Sequence, residues 1–183
     1  MQANIITQNP EKMLTAKNVF DRYEIVTNFI NKDYVEIQAD TSLEIARYTA
    51  ETAARELNMA IIREDHSFFI NALGFPGPYI NYLERSCPAE KLLSLMKDIK
   101  DRSAYFEVAT AYAKPDGECL EYVFQVPVVI TFERKGNLNA NWDTILRFPD
   151  AEKTFAEYPL DERFDVWGKN YKKIAQEIMK KIS

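Results

Sequence analysis

Carboxylates and a lysine at the ends of apolar segments are the positions in this chain best suited to chemistry. Glu64-Asp65 follows a strand-like run from Met59 to Arg63. Acids at a strand's C-terminal end commonly face a cleft in α/β folds. With Glu36 they offer the oxygen ligands that suit Mg²⁺, a hard cation that keeps several of its waters. Taken singly, each reads better as a surface acid at a strand end. Asn9-Pro10-Glu11-Lys12 follows Asn4-Ile5-Ile6-Thr7 and has the grammar of a helix start: Asn9 as cap, Pro10 at the first position, Glu11 in the first turn. A helix N-terminus favours anions, and Lys12 adds a point charge there. The plainer alternative is an ordinary capped helix with a solvated lysine.

Other segments carry weaker signals. In Asn141-Trp142-Asp143, Trp142 could stack on a base and Asp143 could accept from base N–H groups. A core tryptophan beside a capping aspartate fits the same residues. Arg163, Lys169, Lys172 and Lys173 form a basic cluster that suits a polyphosphate or a solvated helix face. Gly74-Phe75-Pro76-Gly77-Pro78 imposes a defined backbone path. His66 is the only histidine, and its adjacency to Ser67 does not make a triad. Neither a zinc cluster nor a P-loop is present.

The elements needed to position these residues follow from pattern. A short strand over 4–7 leads into a helix to about Arg22. Strands are expected over 23–29 and 34–37. Thr41 or Ser42 caps a second helix whose stripe is Ala46, Ala50, Ala53, Ala54 and Leu57. A strand over 59–63, a loop over 74–78 and a helix from Pro88 to about Lys97 come next. Strands over 103–114 and 119–132 flank the Pro115-Asp116-Gly117 turn. A final helix spans about 165–181, with Val166, Ile174, Ile178 and Ile182 on one side. Strands alternating with helices, then a long hairpin, make a single α/β domain with a mixed sheet and flanking helices.

Composition bounds the function classes. A net charge of −5 argues against a nucleic-acid surface, which needs a basic stripe. No apolar run approaches the ~20 residues that span a bilayer, so no membrane partner is expected. The first residues lack a basic and then apolar leader pattern. Cys87 and Cys119 stand far apart without a CxxC spacing, which suits a reduced, cytoplasmic setting.

Taken in order, the motifs resemble those of the Ham1-like inosine triphosphate pyrophosphatases. Thr7-Gln8-Asn9-Pro10-Glu11-Lys12 is similar to that family's phosphate motif. Glu36-Ile37-Gln38 resembles its next acidic block. The most similar segments are Glu64-Asp65-His66-Ser67 and Asn71 to Ile80, and Asp101 to Tyr105, Trp142-Asp143 and Thr154 to Pro159 continue in register. The resemblance implies a mixed sheet with two lobes around a nucleotide cleft, assembled as a homodimer. It also implies hydrolysis of ITP, dITP and XTP to the monophosphate and pyrophosphate. On that resemblance Thr7, Asn9 and Lys12 would meet the triphosphate. Glu36 and Asp65 would hold Mg²⁺, with Asp65 also serving as general base. Trp142 and Asp143 would lie at the base pocket, and Arg163 and Lys169 would meet phosphate.

Departures from the family pattern fall mainly at the base end. Gln8 replaces a glycine, the glycine-rich loop is one residue shorter, and Thr49 replaces a lysine. Ala140-Asn141 replaces Phe-Gly, and Trp167-Gly168-Lys169 stands in place of Ser-His-Arg. A pyrophosphatase and a non-catalytic or altered-specificity nucleotide-binding relative both remain open on these grounds.

Overall fold

A computed structural model describes residues 1–180. Its elements are β1 (Gln2–Ile6), α1 (Pro10–Asp21), β2 (Val26–Ile30), α2 (Ser42–Leu57), β3 (Ile61–Ile70), β4 (Phe75–Gly77), α3 (Ile80–Ser86), α4 (Ala89–Leu95), β5 (Ser103–Ala113), β6 (Cys119–Ile130), β7 (Leu146–Arg147), α5 (Phe164–Trp167) and α6 (Lys169–Lys180). The strand order is β2-β1-β3-β5-β6-β7, with β4 added to β3. β1 runs parallel to β2 and β3, whereas β4 and β7 pair antiparallel with β3 and β6. This is the expected mixed α/β sheet. The chain divides into two compact units, and the long strands contribute to both.

The first unit holds Met1–Asp65, Val108–Phe124 and the chain from Arg163 onward. Strand alternation sorts its core. Ile5 and Ile62 join the cluster of α1 and α6, with Val19, Phe20, Tyr171 and Ile174. Ile6 and Ile61 join α2 through Ala46, Ala50, Ala53 and Ala54. The small alanines let α2 lie close to the strands. Thr41 and Glu44 close its N-terminus as a reciprocal capping box, and Asn58 ends it in the left-handed conformation. Gly168, between α5 and α6, lies hard against α1. A Cβ there would meet Val19 Cγ2 at 2.5 Å and the Phe164 carbonyl oxygen at 2.8 Å. Just beyond it, buried Asn170 donates from Nδ2 towards Val108 O, Thr110 Oγ1 and Tyr122 O at 3.0–3.1 Å, fastening α6 to the β5–β6 hairpin.

The second unit holds His66–Glu107 and Gln125–Glu162. Phe68, Phe106 and Trp142 form its aromatic centre, with ring centroids 4.6 and 5.6 Å from Phe68. The buried Arg102 guanidinium donates to the carbonyls of Met96, Ile130 and Thr131, tying the loop after α4 to the end of β6.

Several expected boundaries differ. Residues 34–37 form no strand, and the stretch from 31 to 41 is irregular. β3 does not stop at Arg63 but continues to Ile70, so Glu64 and Asp65 are mid-strand. The glycine-rich loop contains the short β4, and α3 follows it. The final helix breaks at Gly168 into α5 and α6, while Lys181 and Ile182 lie outside the described residues. Both cysteines are free thiols. Among the described residues no helix is long and apolar enough to cross a membrane.

Candidate functional site

The turn from β1 into α1 is built by its own side chains. Thr7 Oγ1 accepts from the Asn9 N–H at 3.2 Å, and Asn9 Oδ1 accepts from the N–H groups of Glu11 and Lys12 at 2.8 and 3.3 Å. Asn9 therefore uses its side-chain oxygen as the cap, and its amide nitrogen takes no part in the capping. Gln8, at the glycine position of the resembled motif, donates to Asp33 and ties this turn to the irregular stretch carrying Glu36.

Lys12 leaves the helix surface for the interior. Its Nζ donates to the Glu64 carbonyl at 3.1 Å and stands 4.0 Å from the Glu64 carboxylate, with the two side chains 15% and 3% exposed. Burial pushes the ammonium below its usual range. The charges of Glu64, Asp65 and Glu36 oppose that shift, and Arg63 adds to it. Lys12, Glu36 and Asp65 thus share one electrostatic neighbourhood within the first unit.

Glu64 and Asp65 do different work. Adjacent strand residues point to opposite faces. Glu64 is buried, with Thr110 Oγ1 donating towards it at 3.4 Å and the Tyr171 hydroxyl close by. Burial first, then the Glu64 charge, raises the Tyr171 phenol well above its ordinary range. Glu64 is therefore corrected from metal ligand to internal partner of Lys12. Asp65 is half-buried on the other face. Glu36 is 61% exposed and is paired with Arg63 Nη2. Mg²⁺ needs only one or two carboxylates, the rest of its shell coming from water and phosphate oxygens. Glu36 and Asp65 fit such a partial set. Among the described residues, no three His, Cys, Asp or Glu side chains converge as a full protein cage.

The remaining expected residues fall out differently. Lys169 is exposed at the first position of α6, its Nζ 5.3 Å from the Phe124 ring centroid, and Lys172 and Lys173 are exposed as well. That is the solvated helix face. Arg163 is buried at the N-cap of α5. In the second unit Trp142 is only 2% exposed, and its indole Nε1 donates to the Cys87 carbonyl at 2.8 Å. Its ring packs on Phe68 and offers no open face, so the expectation that it stacks on a base is corrected to a core role. Asp143 beside it is half-buried. Asn141 occupies a positive-φ position (φ 40°), bridging Ala89 N and Glu84 O through its side chain. With ψ −113° it lies outside the left-handed helical region that asparagine favours, and its two side-chain hydrogen bonds hold the backbone there.

Sequence reasoning missed Arg63, whose only signal was a charge at the end of the apolar run that starts at Met59.

Comparison with known proteins places the chain in a family. A model of the Ham1 family matches residues 3–175. The dITP/XTP pyrophosphatase of Ignicoccus hospitalis is 34% identical over 177 residues, covering 94% of each chain. That of Saccharolobus solfataricus is 33% identical over 166 residues, 89% of this chain and 85% of that protein. Among solved structures, the Staphylococcus aureus Ham1 protein aligns with a TM-score of 0.79 at 23% identity over all of both chains. A HAM1 protein from Coxiella burnetii aligns with a TM-score of 0.83 at 20% identity, covering 98% of this chain and 99% of that one. These two likenesses speak to the fold.

Proposed function

The chain belongs to the Ham1 family, and from that premise we propose that it is a nucleoside triphosphate pyrophosphohydrolase. Its substrates are non-canonical purine triphosphates of the ITP, dITP and XTP type, cleaved to the monophosphate and pyrophosphate. One observation carries the reading: Lys12, in the first turn of α1, turns inward to the Glu64 carbonyl and carboxylate, on the strand that also carries Asp65. Cleaving a phosphoanhydride asks little covalent participation of a protein. It asks for positioning and for charge neutralisation.

In this reading Lys12 holds non-bridging phosphate oxygens, and its partial burial strengthens that contact. Asn9 offers its amide nitrogen beside it. Asp65 orients the attacking water and takes its proton. Glu36 and Asp65 would hold Mg²⁺, which when bound neutralises phosphate charge and lowers the pKa of water. The base is read elsewhere than at Trp142, whose ring is enclosed. We further propose that the chain acts as a homodimer in the cytoplasm, on free nucleotides and not on nucleic acid or membranes. The net charge of −5 supports the choice of free nucleotides.

The test is product analysis on a panel of triphosphates with and without Mg²⁺. ITP, dITP or XTP should yield equimolar pyrophosphate and monophosphate only with the metal, and Asp65→Asn should lower kcat by about 10²-fold or more. Orthophosphate as the product, or turnover indifferent to Asp65→Asn, would refute the proposal.

A further inference from the structure

Arg63 lies in the same strand as Asp65 and, two residues away, on the same face of it. Its guanidinium is fixed from two sides. Nη1 donates to the Ile6 carbonyl at 3.2 Å, at the end of β1, and Nη2 pairs with Glu36 Oε1. The Arg63 side chain is 14% exposed, that of Glu36 61%. Arg63 Nε is buried with no hydrogen-bond partner among the described residues. The irregular stretch bearing Glu36 is itself tethered, through Gln8–Asp33 and Lys32–Glu56 before it and the Thr41 cap after it. Glu36 is therefore presented to Arg63 by an anchored loop.

A guanidinium stays charged at any physiological pH. A free divalent cation approaching Glu36 meets this positive charge and must displace it from the carboxylate. A metal–triphosphate complex carries net negative charge, so the same guanidinium attracts it, and its remaining donors match phosphate oxygens. Lys12 adds a second positive charge to that neighbourhood.

We propose that Arg63 is the resident counter-ion of Glu36, making the site take its metal as the triphosphate complex in preference to the free ion. This rests on the pyrophosphatase reading and adds a positioning residue to it. Arg63 holds the carboxylate until nucleotide and metal arrive together, then turns its donors to the phosphates.

The experiment is Mn²⁺ binding to the full chain, followed by electron paramagnetic resonance, with and without a non-hydrolysable imido analogue of ITP. Wild type, Arg63→Gln and Arg63→Lys are compared after circular dichroism establishes that each is folded. Removing one nearby positive charge should tighten Mn²⁺ binding without nucleotide by about tenfold in Arg63→Gln. The gain from adding the analogue should shrink by a similar factor, while Arg63→Lys stays near wild type. Mn²⁺ binding alone that is no tighter in Arg63→Gln overturns the proposal, as does a wild type that binds Mn²⁺ equally well with and without the analogue. Pyrophosphate release by wild type in the same preparation separates the two readings. Hydrolysis with unchanged Mn²⁺ affinity sinks the role of Arg63 alone. Tightened Mn²⁺ binding without hydrolysis of any triphosphate supports Arg63 as counter-ion and sinks the pyrophosphatase reading.

Discussion

Replacing Lys12 by methionine keeps most of the side chain's volume and removes its charge. Two terms oppose each other. The substitution spares the cost of burying an ammonium, the same cost that depresses its pKa. It also strips the Glu64 carbonyl of a donor at 3.1 Å and leaves a carboxylate that is 3% exposed without its cation. Breaking a buried pair costs about 3–5 kcal/mol when geometry is tight. Here the carboxylate separation is 4.0 Å, and Thr110 Oγ1 remains within 3.4 Å. The expected loss is therefore smaller, about 2–3 kcal/mol. Urea unfolding with unchanged m-value is the assay.

The double variant Lys12→Met/Glu64→Gln distinguishes causes. With the buried charge gone, stability should return to within about 1 kcal/mol of wild type. Activity should not return. Losing a charge-assisted contact to phosphate costs about 1.5–3 kcal/mol, a fall of roughly 10–150-fold in kcat/KM in both variants. A Lys12→Met protein within about 0.5 kcal/mol of wild type would show that Glu64 does not depend on Lys12, and the internal ion pair would be refuted. A double variant with restored kcat/KM would refute the phosphate role instead.

Gly168→Ala should destabilise by about 1–3 kcal/mol in the same assay, because its Cβ must displace Val19 or the Phe164 carbonyl. Tyr171 gives a pH signature. Its phenol is raised well above the usual range, so it stays neutral in the fold while the unfolded chain ionises from about pH 10. That contribution is whole below pH 10 and is lost as pH rises further. Tyr171→Phe should therefore flatten the fall of the urea midpoint above pH 10, and an unchanged slope would count against burial as the cause.

Local chemistry made much of the fold legible. Asn9, Pro10, Thr41 and Glu44 announced α1 and α2, and Pro115-Asp116-Gly117 announced the hairpin. What stayed hidden depended on partners distant in sequence. Glu64-Asp65-His66-Ser67 looks like a strand ending because it is polar, yet β3 continues because Lys12 and Thr110 receive Glu64 from other elements. Tyr34, Val35 and Ile37 have strand-like composition, but Val35 is 79% exposed and these residues pair with no strand. Trp142 illustrates the reverse error. An aromatic beside an aspartate suggests a ligand, but only tertiary packing shows that Cys87 and Phe68 already claim its nitrogen and its face.

The two adjacent carboxylates of β3 divide their labour. A strand presents alternate residues to opposite faces, so Glu64 and Asp65 cannot serve one ligand together. One carboxylate goes inward and stabilises a buried lysine. The other stays half-buried on the face of β3 that also carries Arg63, the partner of Glu36. A one-residue shift in β3 would exchange these roles, burying Asp65 against Lys12 and turning Glu64 outward. The register is held by Ile5 opposite Ile62 and Ile6 opposite Arg63, with apolar partners committed on both faces. Trp142 and Asn141 take no part in those contacts, whereas Gly168 packs against Val19 of the cluster that holds Ile5 and Ile62. Gln8, another departure from the family pattern, reaches the carboxylate side directly, because it donates to Asp33 in the stretch that carries Glu36, so the departures are not all remote from the residues that position the carboxylates.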